Sequence, residues 1–573
     1  MGTFGGMVKD EQGFIDIAGV KEAKIYSYKG RTFVVTYDGE IYNQPELKSE
    51  LTRRGNYFET EEDEEFILKA YTTWREECLE KFEGVFALGI WEVEERRLFL
   101  ARDPIGAKSL FFSVLKSGIV FAGHVKDILN TREVSPQVTY EGMAELLCLG
   151  PSRRQTSAVF RNISQLESGT YLKYVNGSMK LVKYAELEAY ENQESFEEVV
   201  DNIREMVIDS VLHQYRANGE IATLLSGGLD SSIVTTIVAE ALKHDNRTLR
   251  TFSVDYEDND LFFKSNSYQP NSDNDWIKKM VEFLDTDHRD VTLRSEDLAD
   301  ALKEAMLARG FPGMGDIDSS LLLFCKSMKK YADVGLGGEC ADEVFGGYPW
   351  FHREELKNAD FFPWIRSVNE RKEFVNKEIR ANVNINELAN SVYRVEINKV
   401  PKLYGESEEN KRIREIGYLT YKWFLPVLLE RQDKMAGKAG FHIRAPFCNF
   451  KLMNYVYNVP WAYRIHGDME KGLLRYAFQD ILPKEVAFRK KSPYPKTFNP
   501  TYREIMIREL KHILENPTSP LLDVVDCDRV EELIAEEESA SRPWFGQLMR
   551  GPQVMAFFIQ LNEWLKEYHV TIV

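Results

Sequence analysis

The chain has 573 residues, too many for a single hydrophobic core, so length alone predicts at least two domains. Apolar residues make up 43% and charged residues 29%, the balance of a folded globular protein. The net charge of −18 argues against a nucleic-acid binder, which needs a Lys and Arg excess, and no uncharged apolar run reaches the ~18 residues of a membrane span.

The first 185 residues read as β-rich. Arg31 to Tyr37, Val85 to Trp91 and Arg97 to Ala101 carry the β-branched and aromatic bias of strands, and the last two frame a charged turn from Glu92 to Arg96, as in a hairpin. Helical patterns run from Gln44 to Gly55 and from Glu64 to Glu80. Glu186 to Glu198 is poor in apolar residues and reads as a linker or the start of a surface helix. Strand and helix patterns then alternate: strand Ile221 to Leu225, helix Ser231 to His244, strand Leu249 to Val254, helix Trp276 to Leu284, helix Ser319 to Lys330, strand Val334 to Leu336. Such alternation predicts a parallel sheet with crossover helices. Beyond Phe361 the patterns are mostly helical, ending in an amphipathic helix from Pro552 to Tyr568. The cysteines (Cys78, Cys148, Cys325, Cys340, Cys448 and Cys527) form no CxxC pair, and the start, with Gly2 after Met1, lacks the basic and apolar regions of a signal peptide. Both point to reduced thiols and a cytoplasmic location.

The strongest chemical signal is Leu224-Leu225-Ser226-Gly227-Gly228-Leu229-Asp230-Ser231-Ser232. A buried-strand pattern ends at Leu225, and a helix with Ile233, Ile237 and Ala241 beside Val234, Val238 and Leu242 follows. The two glycines permit positive φ and close approach of a ligand to the backbone. The first N–H groups of the helix then face an anion, with the helix dipole adding to the attraction. This is the physics of a phosphate loop without the lysine of GxxxxGK[ST]. A plain strand-to-helix turn with good capping residues would explain a lone Ser-Gly-Gly; it explains the whole string poorly.

The string resembles the SGGLDS signature of the PP-loop ATP pyrophosphatases. A second string, Gly337-Gly338-Glu339-Cys340-Ala341-Asp342-Glu343-Val344-Phe345-Gly346-Gly347-Tyr348-Pro349, resembles SGEGADELFGGYP of the asparagine synthetases. The resemblance implies ATP as substrate and Mg²⁺ as cofactor, the metal held by Asp230 and Asp342, two hard carboxylates of the kind Mg²⁺ prefers. Taken alone, Asp342 and Glu343 would read as acidic residues at a helix start. By the same resemblance Leu225, Ser226, Gly227, Gly228, Asp230, Ser231, Val254, Gly337, Gly338 and Asp342 contact the nucleotide. Thr251 to Val254 matches the strand bordering adenine. Leu429 to Met435 and Ile443 to Phe447 match the lining of the second-substrate pocket, and Phe488 to Lys496 matches a loop whose lysine, here Lys491, meets the α-phosphate. Otherwise Arg489 to Lys491 reads as a solvated charge run. The implied reaction joins a carboxylate, aspartate or an analogue, to ammonia or an amine through an acyl-adenylate. Lys491 is expected to stabilise phosphate charge, and Glu339 or Tyr348 to take the proton from nitrogen. A larger carboxylate such as a cell-wall precursor, or ring closure as in β-lactam synthetase, is an alternative, and a non-catalytic nucleotide-binding scaffold is the rival from another class. A homodimer is the family expectation.

The front region resembles class II glutamine amidotransferase domains through Asp38-Gly39-Glu40-Ile41-Tyr42-Asn43 and Leu98 to Gly106, with Asp63 at the family's acidic amine-binding position. It departs where chemistry is done. Gly2 stands where the family has its N-terminal cysteine, and Asp38 replaces the oxyanion Asn. The segment between Val8 and Tyr26 lacks the family's RHRGPD and RLSIxD strings. No glutamine hydrolysis is therefore expected. In the synthetase half Gly337 replaces a usual Ser and Asn449 a usual Asp. The expected architecture is an α+β domain of stacked antiparallel sheets, Ntn-hydrolase-like, over residues 1–185; a linker over 186–200; and, over 201–573, an α/β parallel-sheet domain of the adenine nucleotide α-hydrolase type with a largely helical extension.

Overall fold

The structure, a computed structural model, describes residues 4–216, 219–262, 273–365, 367–537 and 543–573. Position 2, on which the missing-cysteine reading rests, lies outside them. The chain divides into two compact units: 1–142 with 153–186 and 568–573, and 143–152 with 187–567.

In the first unit two antiparallel sheets are formed. One has the order Ser164–Gln165, Phe111–Leu115, Gly118–Ala122, Gly5–Lys9, Gly13–Ile15. The other runs Ser178–Lys183, Thr170–Val175, Arg97–Arg102, Gly84–Glu92, Arg31–Ile41, Lys24–Tyr28. The predicted hairpin is present, with Glu92 opposite Arg97 and Ala87 opposite Arg102. Strand Arg31–Ile41 shows why Phe33, Val34 and Val35 are apolar in succession. Val34 packs with Phe121 and Ile119 of the other sheet, whereas Phe33, Val35 and Tyr37 pack with Leu51, Phe66 and Tyr71 of the helices Gln44–Arg53 and Asp63–Trp74. Consecutive side chains point to opposite faces, and both faces are covered. The helix expected from Glu64 to Glu80 breaks at Arg75, where φ is 55°, and resumes at Cys78–Lys81.

The second unit holds a parallel sheet of order Asp287–Leu293, Arg250–Tyr256, Ile221–Leu224, Val334–Leu336, His442–Arg444. The first strand in the chain is central. The next two lie to one side of it and the last two to the other. The order of strand addition thus reverses between Ile221–Leu224 and Val334–Leu336, and in open α/β sheets ligands bind at such a switch point, outside the carboxyl ends of the strands. The helix Leu229–His244 buries Ile233, Val234, Ile237, Val238 and Leu242. Each such side chain contributes about 1.5–3 kcal/mol, which seats the Ser226-Gly227-Gly228 turn on a rigid element. Glu186 to Glu198 resolves into an extended stretch, then a helix Phe196–Tyr215 opened by a Ser195/Glu198 capping box.

The final helix, Gly551–Glu567, is amphipathic as expected, with Ile559, Glu563, Lys566 and Glu567 along its partly exposed stripe, but its buried part is wider than the apolar residues. Phe557, Phe558, Leu561 and Trp564 are buried, but so are Gln553, Gln560 and Asn562 on other faces. These polar side chains are consumed inside: Gln560 accepts from the Gly313 N–H and donates to the Leu302 carbonyl, and Asn562 accepts from the Ser519 hydroxyl. Polar residues on the enclosed part of the helix are thus used as internal bonds.

Near this helix a buried carboxyl sets a pH-dependent term. Asp316 is 2% exposed, and its Oδ1 has no hydrogen bond. Burial pushes its pKa up to about 6, against the opposing Gln553 side chain and Lys496 charge, while Asp318 adds to the rise and the Tyr502 hydroxyl is adjacent. The folded pKa exceeds the ordinary carboxyl value of about 3.9, so the contribution is present below that value and is lost as pH rises through about 6. Asp316→Asn is expected to be more stable than the parent by about 1–3 kcal/mol at pH 8 and equal to it at pH 4. Urea unfolding at the two pH values checks this, and an equal or lower stability at pH 8 contradicts it.

Candidate active site

The two motifs follow the two strands that flank the switch point, and the register Ile221–Val334, Ala222–Gly335, Thr223–Leu336 sets their loops side by side. They touch. A Cβ on Gly338 would sit 2.6 Å from the Ser231 nitrogen, so only glycine allows the second loop to cross the start of the helix. Gly227 is the other obligatory glycine, with φ of 64° and space for a Cβ closed by the Trp276 backbone at 2.6 Å. The turn braces itself: the Ser226 and Ser231 hydroxyls lie 3.0 Å apart, and the Ser226 N–H donates to Ser231 Oγ. At the helix start, Gly228 supplies no side-chain cap, which leaves the first-turn donors for an anion.

A cavity of about 220 Å³ opens over these loops. Leu225, Ser226, Gly228, Asp230, Ser231, Val254, Gly337, Gly338, Glu339, Asp342, Tyr348 and Lys491 line it. Gly227 does not; it packs away from the cavity against Trp276. Gly337 faces open space where the family's serine would project, and its N–H bonds to the Arg444 carbonyl. Asn449 lies outside the lining and caps the helix Phe450–Tyr457, accepting from the Lys451 and Leu452 N–H groups.

The electrostatic centre is a residue that the sequence reading missed. Lys471 is 2% exposed, and its Nζ lies 2.6 Å from Asp230 Oδ2 and 2.8 Å from Asp342 Oδ1. Lys491 Nζ adds a contact of 3.0 Å to Asp342 Oδ2 and rests 3.9 Å from the centre of the Tyr348 ring. Burial alone would raise both carboxyls. At Asp342 two ammonium groups outweigh it and hold the pKa down to about 2; at Asp230, burial and the neighbouring Asp342 prevail and the pKa is raised. No motif marks Lys471. It sits in a left-handed backbone conformation, φ 56°, before the helix Gly472–Phe478, a place that in sequence reads as a solvated lysine.

The remaining residues take defined positions. Glu339 Oε1 is 3.5 Å from Nη2 of the buried Arg431, whose Nε has no hydrogen-bond partner. The Tyr348 hydroxyl donates to Glu343 at 2.8 Å, and burial raises that phenol well above its ordinary value. Burial also pushes Glu343 up to about 8. Arg489, expected only as part of a charge run, donates to the Ser226 carbonyl and pairs with Asp273.

The donor set suits a divalent cation. Both aspartates already converge on one positive charge, and the buried Asp342 Oδ1 makes its contact to Lys471 without hydrogen-bond geometry, leaving an acceptor unused. In the first unit Asp38 pairs with Lys108 at 3.0 Å, and burial raises the pKa of Asp63. Cys78 is 1% exposed, and burial raises its thiol far above the range of a reactive cysteine.

Known proteins agree with this geometry. The asparagine synthase family model matches residues 202–566, and a glutamine amidotransferase domain model matches residues 13–185. The chain is 38% identical over 560 residues to asparagine synthetase (glutamine-hydrolyzing) 3 of Bacillus subtilis, covering 97% of this chain and 91% of that protein. It is 25% identical over 531 residues to asparagine synthetase (glutamine-hydrolyzing) 1 of the same organism, covering 85% and 80%. It is 26% identical over 477 residues to the asparagine synthetase (glutamine-hydrolyzing) of Gallus gallus, covering 80% and 71%. A match of this extent along both halves, over loops whose carboxylates meet at the end of a parallel sheet, means that the chain belongs to the asparagine synthetase family and is a carbon–nitrogen ligase.

Proposed function

We propose that the chain forms the side-chain amide of asparagine from aspartate and free ammonia, cleaving ATP to AMP and pyrophosphate, without hydrolysing glutamine. The observation that carries this reading is the convergence of Asp230 and Asp342 on one buried ammonium at the end of the phosphate-loop turn. The diphosphate of ATP lies at the first turn of Leu229–His244, with Leu225, Val254 and Gly337 toward the nucleoside. Asp230 and Asp342 would hold Mg²⁺, which when bound would screen the charge of the leaving pyrophosphate.

A carboxylate oxygen of aspartate attacks the α-phosphorus, and the bond from that phosphorus to the bridging oxygen breaks with its electron pair leaving on pyrophosphate. Lys491 and Lys471 supply fixed positive charge where negative charge accumulates. Ammonia then attacks the acyl carbon, the carbon–oxygen bond breaks and AMP departs. Glu339 accepts the proton released from nitrogen. Arg431, buried and with an unused Nε, holds a carboxylate of the substrate, and Tyr348 with Glu343 shapes the wall beside Lys491.

Free ammonia as donor is supported by the first unit. Asp38 places a carboxylate where an oxyanion would need a donor, and Cys78, the first cysteine in the sequence, is sealed in the core. The expected result is pyrophosphate release from ATP with aspartate plus ammonium, and none with aspartate plus glutamine, with no glutamate formed. Glutamate appearing from glutamine overturns the nitrogen-donor assignment. No pyrophosphate with aspartate plus ammonium overturns the substrate assignment, and Mg-ATP binding without turnover on any carboxylate favours the scaffold.

A further inference from the structure

We propose that a second cavity in the 187–567 part of the chain binds a small organic carboxylate through Arg464, a site beyond the ligase reading and sharing no lining residue with the first cavity. This cavity measures about 290 Å³, and Arg464, Arg414, Asn410, Tyr404 and Trp461 are in its wall.

Arg464 is 3% exposed, yet its guanidinium makes a single hydrogen bond, from Nη2 to the Val344 carbonyl at 2.9 Å. Its Nε is buried without a partner. The charged and titratable groups that face it are Tyr421, Tyr457, Arg414 and His352; among the described residues no carboxylate pairs with it. Arg414 is no help, being neutralised by Glu406 at 2.9 Å. Besides the Val344 carbonyl, the faces of Trp461 and Phe351, at 5.2 and 5.8 Å, compensate Arg464. A buried charge without a counter-ion is costly, and a guanidinium with open donors is the fork that accepts a carboxylate. One unpaired positive charge, with Glu191 also in the wall, favours a monoanion over a dianionic phosphate. Arg464 lies one hydrogen bond from the helix Ala341–Phe345, which carries Asp342.

The test titrates the full chain in a calorimeter with aspartate, asparagine and benzoate, and with inorganic phosphate as the competing anion. Each titration is repeated on Arg464→Met, on Asn410→Phe, which fills the cavity while leaving Arg464 in place, and on Arg431→Met, which disables the first cavity. The expected result is a binding component for at least one carboxylate that survives Arg431→Met and weakens ten-fold or more in Arg464→Met and in Asn410→Phe. Without ligand, Arg464→Met is expected to melt no lower than the parent. Should Arg464→Met fail to fold, Asn410→Phe alone decides. The proposal is overturned if none of the three carboxylates binds, if binding is unchanged in Asn410→Phe, or if phosphate binds more tightly than every carboxylate. Because these readouts require no turnover, their failure is distinguishable from failure of the ligase assignment.

Discussion

Exchanging Lys471 for methionine is expected to destabilise the chain by about 3–5 kcal/mol, the largest stability effect of any single substitution in the active site. The methionine fills the space of the lysine stem but leaves Asp230 and Asp342 facing each other in a buried setting. Lys491 still reaches Asp342 Oδ2, whereas Asp230 loses the ammonium that lay 2.6 Å from its Oδ2. Two carboxylates without the central ammonium repel, and each takes up protons more readily than in the parent. Their folded pKa values then lie above the ordinary value, so the deficit is greatest at neutral pH and narrows as pH falls toward about 4. Millimolar Mg²⁺ is expected to restore part of the loss, because a cation with oxygen preference can enter the place of the ammonium. Urea unfolding at pH 5 and 7.5, with and without Mg²⁺, reads all three effects. Unchanged stability in the variant would show that the ion cluster is electrostatically slack, and with it the metal assignment would fail.

Asp342→Asn is expected to slow pyrophosphate formation roughly 10²–10³-fold at saturating ATP, the largest effect on turnover. Asparagine keeps the shape of the side chain and its place in the helix Ala341–Phe345, but removes the charge on which Lys471, Lys491 and a metal all depend. Pyrophosphate release under saturating substrates, with circular dichroism to establish the fold, separates a chemical loss from unfolding. A rate equal to that of the parent would remove Asp342 from the reaction and leave the second motif without a role.

The fold was legible where local patterns and packing agree. Strands Ile221–Leu224 and Val334–Leu336 and the helix Leu229–His244 are apolar because they are enclosed, and a short apolar run bounded by glycines is readable at that position. Asp287–Leu293 escaped notice because it is an edge strand: Asp287, Asp290 and Thr292 are exposed, while His288 bonds to Thr251 and Ser253 of the neighbouring strand, so no apolar alternation survives. His442–Arg444 escaped because three residues carry no period. The internal bonds of Gln553, Gln560 and Asn562 on the last helix were not legible, since their partners lie far away in the sequence.

The same division runs through the site. Sequence alone determined the two loops, because their glycines and the helix start that follows lie at contiguous positions, and contiguity is what a sequence records. It also determined the pair Asp230 and Asp342, one in each loop. Only the tertiary structure decided what stands between them. Lys471 is separated from Asp230 by 241 positions and becomes the central cation solely through packing of the helix that follows it. Charge pairing depends on distance in space, which long loops leave unconstrained along the chain, so ion clusters and the lone guanidinium of Arg464 come into view only once the chain is folded.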